Sequence, residues 1–254
     1  TLKSNDLKEI DTTSISDNTE GLNNIGLESV KKGNKYRLLD KIEGLYLPPR
    51  NTCVKDEVNE IKYMVRTKLV HLNHKYLVLI DLSYSDADTK AKKNADAREF
   101  EIQTAELFTN ELSFEGMRLG DSNKPDVIIS YGKSGTIIDN KSYKDGFNIN
   151  TTSKDEMIRY INQNTKREKK LNSNEWWLNF NPQISTFTFL FITSFLKGRF
   201  EEQLKYISED NNDMKGAAIG VESLLYLSAG IKSGKITHDE YYSNFNNKQM
   251  VYSI

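Results

Sequence analysis

Residues 124–143, KPDVIISYGKSGTIIDNKSY, place Asp126, Asp139 and Lys141 in or beside two runs rich in Ile and Val. Charges in strands of that composition need a partner or a task. If Gly132–Gly135 closes a hairpin, Tyr131 faces Thr136, Ile128 faces Asp139 and Asp126 faces Lys141. Side chains alternate along a strand, so Asp139 and Lys141 share a face, and Asp126 joins them from the neighbouring strand. Diagonal neighbours in such a pair stand roughly 7–8 Å apart. Two converging carboxylates repel unless a cation sits between them. Mg²⁺ suits that place, because it takes one or two carboxylates and completes its shell with water and phosphate oxygens. A lysine beside it can orient a water and offset charge growing on phosphorus. The chemistry this spacing suggests is metal-assisted phosphodiester hydrolysis.

The pattern by itself leaves a second reading open, that of an exposed face with ordinary ion pairs. Acid-x-Lys tripeptides start at Asp6, Glu60, Asp88, Asp139, Glu168 and Asp213, so the tripeptide carries little weight. Only that at Asp139 follows an apolar strand run and lies a hairpin away from the chain's one Pro-Asp pair. A further acid, Glu101, falls on the face Ala97, Ala105, Phe108, Leu112 of an expected helix; it either reaches solvent at the edge or supports a metal site.

These residues need a scaffold, and periodicity outlines one. Val54, Val58, Ile61, Met64, Val65 and Leu69 recur at helical spacing. Further helices are expected over about Lys75–Leu82, Asn94–Leu112 and Ser153–Lys169, with a short one at NEWWLNF. After a strand at ISTFTFLFIT come a helix at GRFEEQLKYI, a strand at GAAIGV, and helices at ESLLYLSAGIK and THDEYYSNF. The outcome is a mixed α/β class with a central sheet flanked by helices. Upstream, residues 27–39 read as two short strands around Gly33-Asn34, and residues 7–10 as a weak helix. Pro48 and Pro49 break the pattern, dividing the chain into residues 1–50 and 51–254.

Bulk properties set outer bounds. The 254 residues are 37% hydrophobic and 10% aromatic, enough for a core. The 35 basic and 36 acidic residues balance, so net charge does not announce a nucleic-acid partner. The single cysteine, Cys53, forbids an internal disulfide and suits a reducing compartment. No apolar run reaches membrane-spanning length, and the start resembles no signal peptide, so a cytoplasmic location without membrane contact is expected. The GxxxxGK[ST] loop and GxSxG elbow are missing, which leaves nucleotide hydrolysis and serine-nucleophile chemistry without support.

The segments KPD, DNKSYKDGFN, KDEMIRY, NSNEWW, FTFLFI, GRFEEQL, GVESLL and IKSGKIT…FNN, in this order over about residues 54–247, resemble the FokI-type cleavage domain of type IIS restriction endonucleases, in the PD-(D/E)xK class. The resemblance implies a restriction-endonuclease-like mixed sheet and a Mg²⁺-dependent double-stranded DNA endonuclease, with Mn²⁺ as a substitute ion. It implies Asp126, Asp139 and Lys141 as the catalytic set, with the two aspartates holding Mg²⁺; Asn140, between Asp139 and Lys141, is counted with them at the metal, and Glu101, from its helix face, is a candidate supporting acid. Asp155 and Arg159 match a pair that joins two cleavage domains across a twofold axis; their i, i+4 spacing alone is equally that of a local salt bridge. Each domain would carry one site, so a double-strand break would take a transient homodimer. Residues 1–50 resemble, more weakly, a partial winged-helix tail and linker, so the chain reads as a C-terminal piece lacking its DNA-recognition domain, from a bacterial cytoplasm. Asn140 and Asn162 depart from the family's residues, leaving dimer strength and partner choice open. The alternatives are a nicking or heterodimeric nuclease subunit, a catalytically idle DNA-tethered dimerisation module, and a repair or recombination nuclease.

Other features read more plainly. His71 and His74 suit a surface turn better than a zinc pair, since no further Cys or His cluster completes one. His238 reads as a helix N-terminal residue, and Trp176 and Trp177 as core. The basic run 164–170, Lys154 and Lys197 could touch phosphates.

Overall fold

A computed structural model describes residues 29–32, 35–38, 57–120, 123–211 and 213–253. Backbone contacts divide the chain into two units, residues 1–48 and 49–254. In the first, β1 (Ser29–Lys32) and β2 (Lys35–Leu38) form the expected antiparallel pair, Lys32 facing Lys35. The weak helix near Leu7–Ile10, the Pro48-Pro49 break and the rest of the winged-helix reading lie outside the described residues.

The second unit follows the order α1 (Glu57–Lys68), a 3₁₀ turn (His74–Leu77), α2 (Val78–Ser83), α3 (Lys90–Glu106), β3 (Glu115–Arg118), β4 (Val127–Tyr131), β5 (Ser134–Lys141), α4 (Thr151–Lys166), a 3₁₀ turn (Trp176–Asn179), β6 (Thr186–Thr193), α5 (Phe200–Glu209), β7 (Gly216–Gly220), α6 (Val221–Lys232), α7 (His238–Ser243) and β8 (Lys248–Met250). Its sheet runs β3-β4-β5-β6-β7-β8, antiparallel from β3 to β5 and parallel from β5 to β8. The mixed α/β class expected from periodicity is what forms.

Local chemistry explains the element ends. Thr89 Oγ1 accepts the Lys92 N–H at 3.2 Å and starts α3 four residues before the expected Asn94. That helix then loosens into a π turn over Leu107–Glu111 instead of continuing as one regular helix to Leu112. Asn150 Oδ1 caps α4 through the Ser153 N–H at 2.9 Å. The helix stops at Lys166 rather than Lys169 because Arg167 turns left-handed, with φ 50°. Thr237 and Glu240 form a reciprocal capping box at α7.

The sheet buries both faces. On one, Val127, Ile129, Ile138, Leu190, Ile192 and Ile219 pack with residues of α1, α2, α3 and α6. On the other, Ile128, Ile137, Phe189 and Phe191 pack with Met157, Tyr160, Trp176, Trp177 and Leu204. Coverage on both faces is why β6, TFTFLFIT, shows an apolar run with little alternation. Both tryptophans are 1% exposed, as their core reading required. His238 begins α7 and bonds the Leu112 carbonyl at 2.7 Å; His74 opens the 3₁₀ turn and bonds the Leu69 carbonyl at 2.9 Å.

The hairpin register differs from the sequence expectation. Tyr131 pairs with Ser134, not Thr136, and Ile128 with Ile137, not Asp139. Gly132, with φ 59°, supplies the positive angle at the first central position of a two-residue turn, so the loop is two residues shorter than Gly132–Gly135. An even shift preserves the side-chain faces. Continuing the observed register by one residue brings Asp126 opposite Asp139 rather than Lys141.

Candidate active site

Asp126 immediately precedes β4, and its Oδ2 accepts the Asn140 N–H at 2.7 Å. The main chain of one strand thus holds the carboxylate of its neighbour. Asp139, 3% exposed, lies on β5 beside Phe191 of β6. Lys141 Nζ lies 2.9 Å from Asp139 Oδ2 and 3.4 Å from Glu156 Oε2 on α4. The expected trio therefore converges, on the sheet face that α4 covers.

The pocket around it measures about 390 Å³ and also takes in Glu101, Lys124 and Tyr160. Glu101 sits there with Oε2 2.7 Å from both Nε and Nη2 of Arg118 on β3. Its carboxylate is thus paired and at the site's rim, rather than simply wet at a helix edge. Asn140 turns its side chain the other way, donating Nδ2–H to Thr104 Oγ1 of α3 at 2.7 Å, as strand alternation requires. Asp155 and Arg159 are both exposed on α4. No ion pair joins them among the described residues; the Arg159 guanidinium stands over the Tyr160 ring at 5.2 Å and lines the same pocket.

Electrostatics follow from this crowding. Burial, then the neighbouring Asp139 and Glu101 charges, push the Asp126 carboxyl well above the usual aspartate range, against the Asn140 N–H that favours its ionised form. Burial draws Lys141 down, yet Asp139, Asp126 and Glu156 outweigh it and raise the lysine above its ordinary value. Burial, Asp139 and Glu156 push Tyr160 up to about 12.

A divalent cation fits this donor set. Asp139 Oδ2 is buried without a hydrogen-bond partner, its Lys141 contact being ionic rather than an aligned bond; the Asn140 side chain, expected at the metal, lies on the α3 face instead and gives the site only its main chain. The Asp126 carboxyl is raised first by burial and then by Asp139 and Glu101, a crowding of acids that a bound cation would relieve. Among the described residues no group of three or more His, Cys, Asp or Glu side chains could hold a metal alone. A cation here would complete its shell with water and substrate oxygens, which is how Mg²⁺ binds.

This arrangement can be set beside known proteins. The family model for the FokI cleavage domain matches residues 55–251. The chain belongs to the FokI cleavage-domain family. Among the family's curated relatives, the type II restriction enzyme FokI of Planomicrobium okeanokoites is 34% identical over 243 residues, covering 93% of this chain and 40% of the relative. The type II restriction enzyme StsI of Streptococcus sanguinis is 32% identical over 234 residues, covering 91% and 38%. Two solved structures, of restriction endonuclease FokI and of FokI bound to DNA, superpose with TM-scores of 0.73 at 33% identity. They cover 94% and 97% of this chain and 42% and 43% of theirs. The chain spans about two fifths of the length of the curated relatives it matches.

Glu156, Tyr160, Lys124 and Arg118 did not emerge from sequence reasoning as site residues. For Glu156 and Tyr160 a signal existed: they lie at i, i+4 on one face of α4. For Arg118, on a four-residue edge strand, there was none.

Proposed function

We propose that this chain hydrolyses phosphodiester bonds of double-stranded DNA with Mg²⁺, as the cleavage part of a type IIS restriction endonuclease. The observation that carries the reading is the convergence of Asp126, Asp139 and Lys141 in one open polar pocket. Asp126 and Asp139 would hold the ion, with the Asn140 main chain beside them and Glu101 as a supporting acid; Mn²⁺ has the same oxygen preference. When bound, the ion polarises a phosphoryl oxygen and acidifies a bound water. The Asn140 N–H keeps Asp126 aimed at the site. Lys141, protonated beside Asp139 and Glu156, orients the attacking water and meets the negative charge that gathers on phosphorus. Water oxygen bonds to phosphorus as the bridging P–O bond on its far side breaks, the water's proton passing to solvent and the departing oxygen taking a proton from a solvent water.

A pocket of this kind cuts one strand. A double-strand break calls for two copies, and Asp155 and Arg159, exposed on α4 without a mutual bond, are available to pair across a twofold axis. On the winged-helix reading of residues 1–50, site choice would be the task of a DNA-recognition domain rather than of the pocket. The bacterial cytoplasm is the corresponding location; among the described residues no helix is long and apolar enough to cross a membrane.

The test is supercoiled plasmid incubated with Mg²⁺ over a range of protein concentrations, beside Asp139→Ala and an EDTA control. Linear product whose rate rises faster than protein concentration, with the variant inactive, supports a dimer-gated nuclease. Nicks without linear product favour the single-strand alternative. If neither appears, even after fusion to a DNA-binding module, the nuclease reading fails.

A further inference from the structure

A run of buried amides behind the pocket has no part in that chemistry. Trp176 donates its Nε1–H to Gln163 Oε1 at 2.7 Å. Asn172 Nδ2 reaches the same oxygen at 3.4 Å and donates to the Asn123 carbonyl at 2.7 Å. Asn172 Oδ1 accepts the Asn174 N–H at 3.0 Å, so both ends of its amide are engaged and its orientation is set. Gln163 and Asn172 are buried, 3% and 8% exposed. Buried amides cost stability unless bonded, and an apolar filling would pack this place more simply.

The outlet of the run is what gives it a use. Asn123 holds a left-handed backbone, φ 66°, and is followed by Lys124, Pro125 and Asp126. A residue before proline is confined to extended conformations, so the orientation of Asn123 passes stiffly to Lys124. Lys124 lines the same pocket as Asp126, Asp139 and Lys141. The opposite wall hangs on the same tryptophan, since the Tyr160 and Trp176 rings meet edge to face with centroids 6.5 Å apart.

We propose that Asn172 is a positioning residue that fixes the Asn123–Asp126 segment so that Lys124 meets a DNA backbone phosphate next to the one being cut. The inference rests on the DNA-cleaving reading of the pocket. Lys124, a compact ammonium on a flexible stem, suits a phosphate approached as a point charge.

Two measurements test it. Hydrogen exchange followed by mass spectrometry compares wild type with Asn172→Ala and with Asn172→Asp, which keeps the acceptor for Asn174 but not the donor to Asn123. Peptides over residues 119–126 exchange about tenfold faster in both variants, the equivalent of one ordinary hydrogen bond, while β4 and β5 are unchanged. Plasmid cleavage over a salt series then gives KM for wild type, Asn172→Ala, Lys124→Ala and the double variant. Lys124→Ala lowers the slope of log KM against log salt by about 0.9, as loss of one phosphate contact requires. Asn172→Ala lowers it in the same direction, and the double variant is no worse in KM than Lys124→Ala alone. Unchanged exchange at 119–126, or KM effects that multiply in the double variant, would overturn the proposal. If wild type does not cut at all, the nuclease reading fails instead, and exchange still decides whether the clamp exists.

Discussion

The substitution Asp126→Asn should stabilise the metal-free protein at alkaline pH while abolishing cleavage. The new amide keeps an oxygen for the Asn140 N–H, so the 2.7 Å bond survives and what changes is charge. The wild-type carboxyl is displaced upward, first by burial and then by Asp139 and Glu101. With both states protonated, in acid, the residue costs nothing. Once pH passes the unfolded value, the unfolded chain ionises first and stability falls, by at most about 1.4 kcal/mol per pH unit. The fall ends when pH passes the raised folded value, and the cost is constant beyond it. Each unit of displacement therefore corresponds to about 1.4 kcal/mol, or roughly 4 °C in Tm for a domain of this size. The assay is thermal unfolding of both proteins in EDTA over a pH series that starts near the unfolded aspartate's value of about 4 and runs into mild alkali. The variant's advantage should grow with pH and then level off. Added Mg²⁺ should raise wild-type Tm most at the alkaline end and the variant's little, because the ion competes with the proton for the same carboxylate. Parallel curves across the pH range, or equal Mg²⁺ shifts in both proteins, would refute the account of crowded acids that a bound cation relieves.

Other consequences are more direct. Lys141→Gln should reduce the cleavage rate by about 10²–10³-fold with DNA affinity largely kept, measured by single-turnover cleavage and anisotropy. Because Lys141 is held above its ordinary value, wild-type cleavage should show no alkaline loss from this group below about pH 10. Arg118→Ala removes the Nε and Nη2 contacts to Glu101 Oε2 and should cost about 2 kcal/mol, read from urea unfolding. Gly216→Ala should cost about 1–3 kcal/mol in the same measurement, since a Cβ there would collide with the buried Phe189 ring.

Much of the scaffold was legible because its signals are local. The helical spacing around Val58, Ile61, Val65 and Leu69 and the β-rich runs of β4, β5 and β6 persist wherever those segments pack. β3 and β8 escaped notice for the opposite reason. EGMR and KQM are short and lack apolar alternation; they are strands because a neighbour offers them an edge. β8 depends on the Asn247 clasp, whose N–H bonds the Gly216 carbonyl and whose Oδ1 accepts the Gly216 N–H, each at 2.8 Å.

The site divides along the same line. Residue order alone determined that Asp139 and Lys141 share a face, since period-two alternation is a property of any strand. It also brought Asp126 to that face, because a register error of two residues leaves sides unchanged. Tertiary structure alone decided which residue opposes which, through the tight turn at Gly132. It decided too that Glu156 and Tyr160 of α4, Glu101 of α3 and the Lys124 loop close around the pair. Those side chains meet across long sequence separations, where packing of helix on sheet sets the distance and no local periodicity records it.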